Sequence, residues 1–174
     1  QKWIDRKASD VRVGDQLEVC SSITFQNPIQ LGFEKGYLFG LYLADGWNRR
    51  KYGDEETIYI AGKDGFKKEA QKKWVEEFCK SRSIPFEIRE RYCYLKSSEL
   101  LSEITLYFGD SGALSKNVRQ LGFDLEGVRG LLEGLKADAC EREGDLTYST
   151  TNQSLALAIR IWNRVLGLQC STSW

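Results

Sequence analysis

The 174 residues contain no histidine and no methionine, carry no net charge, and nowhere hold an apolar run of membrane-spanning length. The five cysteines (Cys20, Cys79, Cys93, Cys140 and Cys170) are widely spaced and form no Cys-x-x-Cys pair. With no histidine and no close thiol pair, a zinc site has no ligand set to draw on. An odd number of scattered cysteines reads as reduced thiols of an intracellular protein, not as a disulfide framework. With 25 basic and 25 acidic side chains, the chain lacks the basic excess of most nucleic-acid binders. Contact with a polyanion then requires charges segregated to one side, which a count cannot reveal. No stretch approaches the ~20 apolar residues of a bilayer-crossing helix, and no signal peptide opens the chain. Without methionine, Gln1 is not a translation start, so the sequence is expected to be a piece of a longer protein.

What is present is organised around one stretch, Gly36-Tyr37-Leu38-Phe39-Gly40-Leu41-Tyr42-Leu43-Ala44-Asp45-Gly46. Positions i and i+4 share a helix face, so Gly36 and Gly40 form a groove into which a second backbone can come close. Asp45 falls at the bottom of that groove, and Gly46 stands where a helix stop is expected. A partner of the same kind occurs later, in Gly130-Leu131-Leu132-Glu133-Gly134-Leu135-Lys136-Ala137-Asp138. An acid at the negative end of a helix is disfavoured, so something should compensate Asp45.

These two stretches resemble the signature helices of LAGLIDADG homing endonucleases in the form carried by many inteins. Gly40, Leu41, Ala44, Asp45 and Gly46 fall on the family pattern. Two alignments of the second copy are open. With Asp138 on the family's acid, Glu133 stands at a glycine position and Ala139 replaces the final glycine; with Gly134 on the glycine, the acid position becomes Ala139. Asp138 is preferred, because residues 146–152 and the apolar helix after them are similar to the family's strand-to-helix continuation. The resemblance implies an α+β fold of two pseudo-symmetric αββαββα repeats with saddle-shaped antiparallel sheets. The first repeat would span 36–110 and the second 111–174, apparently truncated because no room remains for its last strand and helix. Residues 1–20, with Trp3, Ala8, Asp10, Val11, Gly14 and Asp15, are similar to a fragment of a Hint splicing domain, and 21–35 read as a linker. A generic β-hairpin is the plainer reading of 1–20. Self-splicing by this chain alone is excluded, since the splicing block needs a histidine.

Between the signature helices the pattern supports the repeat order. Strands are expected at 47–51 and 57–61, a helix over 64–83 with Phe66, Ala70, Trp74, Val75 and Phe78 as its apolar stripe, and strands within 85–96. Ser97 opens a helix running to about Phe108. Asp124 is a plausible N-cap for the second signature helix. A hairpin is expected at 141–144 and 146–150, and Asn152 caps a helix from Gln153 to Leu166, stopped by Gly167.

The resemblance implies double-stranded DNA as partner, magnesium or another divalent cation as cofactor, and a monomer joined to the rest of an intein or its host polypeptide. A β-ribbon fits the DNA major groove, which makes Arg49, Lys51, Thr57, Tyr59, Arg89 and Arg91 the candidate DNA contacts; each also reads as an ordinary solvated strand residue. Asp45 and Asp138 are the candidate metal ligands and catalytic acids. Magnesium needs only one or two carboxylates beside waters and phosphates, and it would generate the hydrolytic nucleophile. Lys96 matches the basic residue the family keeps near the scissile phosphate. Gly36, Gly40, Gly130 and Gly134 are the expected repeat interface. Two rival readings remain. In one, a degenerate homolog binds DNA or only accompanies an intein; in the other, a transcription or splicing helper uses the same fold to hold DNA or RNA.

Overall fold

A computed structural model describes residues 23–54, 56–61, 69–109, 116–142 and 145–170. The Hint-like stretch 1–20 and the start of the helix expected from residue 64 lie outside them. The described chain runs α1 (Phe33–Asp45), β1 (Gly46–Asn48), β2 (Thr57–Ala61), α2 (Glu69–Ser81), β3 (Phe86–Ile88), β4 (Tyr92–Lys96), α3 (Ser98–Phe108), α4 (Leu125–Leu135), β5 (Cys140–Arg142), β6 (Asp145–Thr147) and α5 (Gln153–Val165). It is an α+β fold. β1 to β4 form one antiparallel sheet in the order β1-β2-β4-β3, and β5 pairs with β6 alone.

Period-two patterning sets the two faces of the larger sheet. Ile58, Ile60, Cys93 and Leu95 point inward and are fully or almost fully buried, while Tyr59, Tyr92, Tyr94 and Lys96 point outward. Two of the predicted helix starts carry their caps: the Ser97 Oγ accepts from Leu100 N at 3.2 Å, and the Asn152 Oδ1 from Leu155 N at 3.1 Å. One apolar core joins the whole described chain, from Leu38 and Phe39 in α1 through Val75, Leu95, Leu101 and Ile104 to Val128, Leu131, Ile159 and Trp162. Among the described residues no buried side-chain nitrogen or oxygen lacks a partner.

α1 and α4 meet backbone to backbone. A Cβ placed on Gly40 would lie 2.3 Å from the Leu131 carbonyl oxygen and 2.8 Å from the Gly134 Cα. A Cβ on Gly134 would lie 2.3 Å from the Tyr37 carbonyl oxygen and 2.8 Å from the Gly40 Cα. Gly36 and Gly130 repeat the exchange, meeting the carbonyl oxygens of Gly127 at 2.4 Å and Phe33 at 2.2 Å. The contacts are reciprocal, so the two helices are related by a local two-fold axis through the Gly40–Gly134 crossing. Glycine inside a helix costs about 1 kcal/mol relative to alanine, and α4 alone holds Gly127, Gly130 and Gly134. Neither helix is intrinsically strong; each stands because the other covers its bare face with Leu38, Leu41, Val128, Leu131 and Leu135 buried alongside.

Several local details differ from the sequence expectations. α1 begins at Phe33, inside the expected linker, because Gly36 N donates to Gly32 O at 3.0 Å and closes a turn there. Gly46 is extended, with φ −89° and ψ 162°, so it is not a left-handed helix stop. Its glycine is required instead by crowding, since a Cβ would sit 2.6 Å from the Tyr42 Cα. The first strand is only three residues long. The Asn48 side-chain oxygen accepts from Arg50 N at 3.2 Å, which turns the chain into a 3-10 turn over Arg50–Tyr52. The second hairpin lies at 140–142 and 145–147, earlier than expected.

Two outcomes are expected. Gly40→Ala and Gly134→Ala each force a methyl into opposing backbone and should cost about 3 kcal/mol or more, a fall in Tm of about 10 °C. Gly122→Ala, whose added carbon would meet the Phe25 ring at 3.4 Å and the Gln120 side-chain nitrogen at 3.5 Å, should change stability by less than about 1 kcal/mol. Burial pushes the Cys93 thiol up to about 12 and the Cys79 thiol up to about 11, from an ordinary 9.0. Since the folded state holds both thiols protonated, stability should decline as pH rises from about 9, where only the unfolded chain ionises. Alkylation followed by mass spectrometry at pH 8 should spare both until denaturant is added.

Candidate functional site

The seam ends where α1 and α4 deliver their last residues. Asp45 closes α1 and is partly buried. After Leu135 the chain tightens into a 3-10 turn, Lys136–Asp138, and Ala139 then takes extended angles (φ −79°, ψ 148°) much like those of Gly46. The two stretches correspond differently at the crossing and at the exit. At the crossing Gly134 is the counterpart of Gly40; at the exit Asp138 and Ala139 are the counterparts of Asp45 and Gly46. The second copy is one residue shorter between these points, and the 3-10 turn absorbs the difference. Five α-helical steps carry Asp45 about 7.5 Å along the axis from Gly40, and one α step with three 3-10 steps carries Asp138 about the same distance from Gly134. The backbone of Asp138 thus reaches the level of Asp45, while its side chain lies outside the described residues.

A cation compensates the α1 terminus, and sequence reasoning did not find it. Lys116, only 4% exposed, donates from its ammonium to Tyr42 O at 2.8 Å and Leu43 O at 3.2 Å, and lies 5.1 Å from the centre of the Tyr42 ring. These carbonyls belong to the last turn of α1, where the helix dipole is negative. Lys116 follows the 110–115 stretch outside the described residues, and no periodicity marks it. Its backbone is held in turn by α5, since Asn152 donates its side-chain amide to Lys116 O and Val118 N donates to Ser154 Oγ at 2.9 Å. The other end of the seam is closed by Asp124. It occupies the N-cap position of α4 but gives that helix no side-chain cap; its Oδ1 accepts instead from Leu31 N at 2.7 Å and Gly32 N at 3.1 Å, at the entry to α1.

The expected DNA contacts scatter over the outward sheet face and its margins. Tyr59 stands in mid-sheet. Arg49 lies just past β1, its guanidinium carbon 5.1 Å from the Tyr59 ring centre. Lys51 lies in the 3-10 turn and is not a strand residue, because Asn48 has already turned the chain; its side chain lies outside the described residues. Thr57 is 4% exposed and cannot offer its side chain to a groove. Arg89 and Arg91 occupy the loop between β3 and β4 and not the strands themselves, and Arg89 Nε pairs with Glu87 at 2.5 Å. Asp54 organises the turn into β2. Burial works against its charged form, but hydrogen bonds from Thr57, Glu56 and Tyr59 outweigh it and hold the carboxyl below its ordinary value. The Tyr59 hydroxyl is raised, first by burial and then by the charge of Asp54.

Lys96 is not brought to Asp45. Gly46, next to Asp45, lies in the row of Ile60 and Cys93, whereas Lys96 pairs with Thr57. That is three residues along the strands, on the order of 10 Å. The basic group at the end of α1 is Lys116.

Among the described residues no three acidic or thiol side chains cluster as metal ligands. Of the two expected ligands only Asp45 has a described side chain, and a carboxylate suits a hard cation that completes its shell with water and phosphate oxygens better than a soft metal. Among the described residues no helix is long and apolar enough to cross a membrane. Neither a family model nor a curated protein matches this chain.

Lys116→Met should take the ammonium from the Tyr42 and Leu43 carbonyls, of which Tyr42 O keeps the Gly46 N–H, at a cost of about 1–3 kcal/mol. Thermal melting reads the loss, and amide exchange should accelerate in the last turn of α1 ahead of the sheet.

Proposed function

We propose that this chain is the nuclease domain of an intein-associated LAGLIDADG homing endonuclease, which binds a long double-stranded DNA site and hydrolyses phosphodiester bonds with a divalent cation. The observation that carries the reading is the glycine seam whose two helices end on Asp45 and Asp138 at one level. Two carboxylates that converge repel each other unless a cation lies between them. In this reading Asp45 and Asp138 hold a magnesium ion, and the ion supplies a water of lowered pKa and offsets charge on the phosphate. Lys116 and Asn152 hold the α1 terminus, so that the Asp45 carboxylate is presented from a fixed backbone. Asp124 locks the opposite end of the seam, leaving the helix pair little freedom to slide. The outward sheet face is the DNA surface, with Arg49, Arg91 and Lys96 toward phosphates and Tyr59 toward base edges. The reciprocal contacts at the seam support a pseudo-symmetric repeat arrangement. The remainder of the intein or host polypeptide is the covalent partner, and the domain acts as a monomer.

A second reading, a DNA-binding homolog that no longer cuts, is favoured by a specific observation. Among the described residues the second half carries a two-stranded sheet against four strands in the first, and Lys96 is remote from Asp45.

Duplexes selected from a random-sequence library separate the two. With magnesium the selected duplex is expected to be cut on both strands, and with EDTA it is expected to be bound but intact. Asp45→Asn should bind as the parent does and cut at least ~100-fold more slowly. Binding without cleavage by the parent protein would establish the silent homolog; no retained duplex would remove both readings.

A further inference from the structure

The outward face of the four-stranded sheet carries rings that the core does not use. Trp47, Tyr59 and Tyr94 are successive neighbours in one cross-strand row that ends on Glu87, and Tyr92 stands in an adjacent row opposite Ala61. Trp47 and Tyr59 stack at 5.1 Å and 10°. Tyr92 approaches the same pair edge-on, 5.9 Å from Trp47 and 6.1 Å from Tyr59, and Tyr94 lies 5.8 Å from Tyr59. All four are partly exposed, on the side of the sheet opposite the buried Ile58, Ile60, Cys93 and Leu95. Alongside them runs an open groove of about 720 Å³ whose walls include Arg49, Tyr92, Tyr94 and Lys96.

The groove carries acids as well as bases, since Asp54 and Glu56 line it together with Arg49 and Lys96. The Asp54 carboxylate is engaged by Thr57 N at 3.0 Å and by the Tyr59 hydroxyl at 3.4 Å, and Glu87 accepts from the Tyr94 hydroxyl while pairing with Arg89. Arg49 and Lys96 have no ion-pair partner among the described residues. Cations ready for phosphate therefore flank a bed of π-faces. In a duplex each base face is covered by the next base pair, and only edges are open to a protein. Ring faces become useful when bases are unpaired.

We propose that this sheet face binds single-stranded nucleic acid, with unpaired bases stacking on Trp47, Tyr92 and Tyr94 and with Arg49 and Lys96 contacting the phosphates. The binding requires neither Asp45 nor a metal, so it stands or falls separately from duplex hydrolysis. Binding tracks the backbone and tolerates sequence, because every base has a π-face. Whether the strand is DNA or RNA depends on contacts to the 2′-hydroxyl.

The whole chain is titrated, in EDTA, with a labelled 12-mer of oligothymidylate, with oligouridylate of the same length, and with the oligothymidylate annealed to its complement; anisotropy and tryptophan emission are read together. A single strand is expected to bind at least ~10-fold more tightly than the duplex and to quench tryptophan emission. Trp47→Phe should remove most of the quenching and keep most of the affinity. Tyr92→Leu and Tyr94→Leu keep apolar packing but lose the ring, and each should weaken binding about 5- to 100-fold with an unchanged melting curve. Arg49→Ala and Lys96→Ala should each lower the slope of log affinity against log salt by about 0.7. A preference between the two single strands identifies the natural ligand as DNA or RNA. Duplex binding as tight as single-strand binding overturns the proposal, as does absence of binding to either strand or parental affinity in both tyrosine variants. Single-strand binding without magnesium-dependent cutting of any duplex would leave this surface standing and remove the nuclease.

Discussion

Backbone-on-backbone contact between α1 and α4 is the constraint on which the rest of the molecule depends. Hydrogen in place of a side chain at Gly36, Gly40, Gly130 and Gly134 lets the helices approach until carbonyl oxygens would touch an added methyl at 2.2–2.4 Å. Ordinary helix pairs, spaced by side chains, sit about 8–10 Å apart. Close packing of this sort has essentially one register, because sliding by a residue would drive Tyr37 or Leu131 into the opposing backbone. A unique register also fixes the axial level at which each helix ends, and so where Asp45 and the Asp138 backbone stand.

The ends of that seam are closed by groups from elsewhere in the chain. Lys116 comes from the segment after α3, sits under the last turn of α1, and is itself held by the cap residue of α5. Asp124 precedes α4 and accepts from the entry to α1. Both ends of α1 are therefore closed by residues that belong to the other half of the chain. Such cross-capping couples the halves more tightly than local caps would, since releasing one helix end leaves polar groups of the other half unsatisfied. A carboxylate at a helix C-terminus, unfavourable by itself, becomes tolerable when a buried ammonium takes up the carbonyls beside it.

Two chemistries are segregated on the molecule. Asp45 ends α1 at the seam, while the outward sheet face carries rings and cations, with the acids Asp54 and Glu56 beside them. Asp54 and Glu87 are hydrogen-bonded to Tyr59, Tyr94, Thr57 and Arg89 and keep their charge, whereas Arg49 and Lys96 have no ion-pair partner among the described residues.

The helices, their glycine faces and the caps at Ser97 and Asn152 were legible from residue order alone, because periodicity and capping are local properties of the chain. The sheet was legible as inward and outward alternation for the same reason. Other features required neighbours distant in sequence. Arg50–Tyr52 left the strand through an Asn48 hydrogen bond, Gly46 answered crowding by Tyr42, and Lys96 proved to lie three rows from Asp45 once strand register was known. The level that Asp138 reaches beyond Gly134 could not be read in one dimension, since the 3-10 turn over Lys136–Asp138 changes the rise per residue. Sequence by itself determined which faces are bare, apolar or charged. Only the tertiary structure decided which of those faces meet, and that Lys116 and Asp124 close the seam, because contacts between segments far apart in the chain leave no periodic trace within either one.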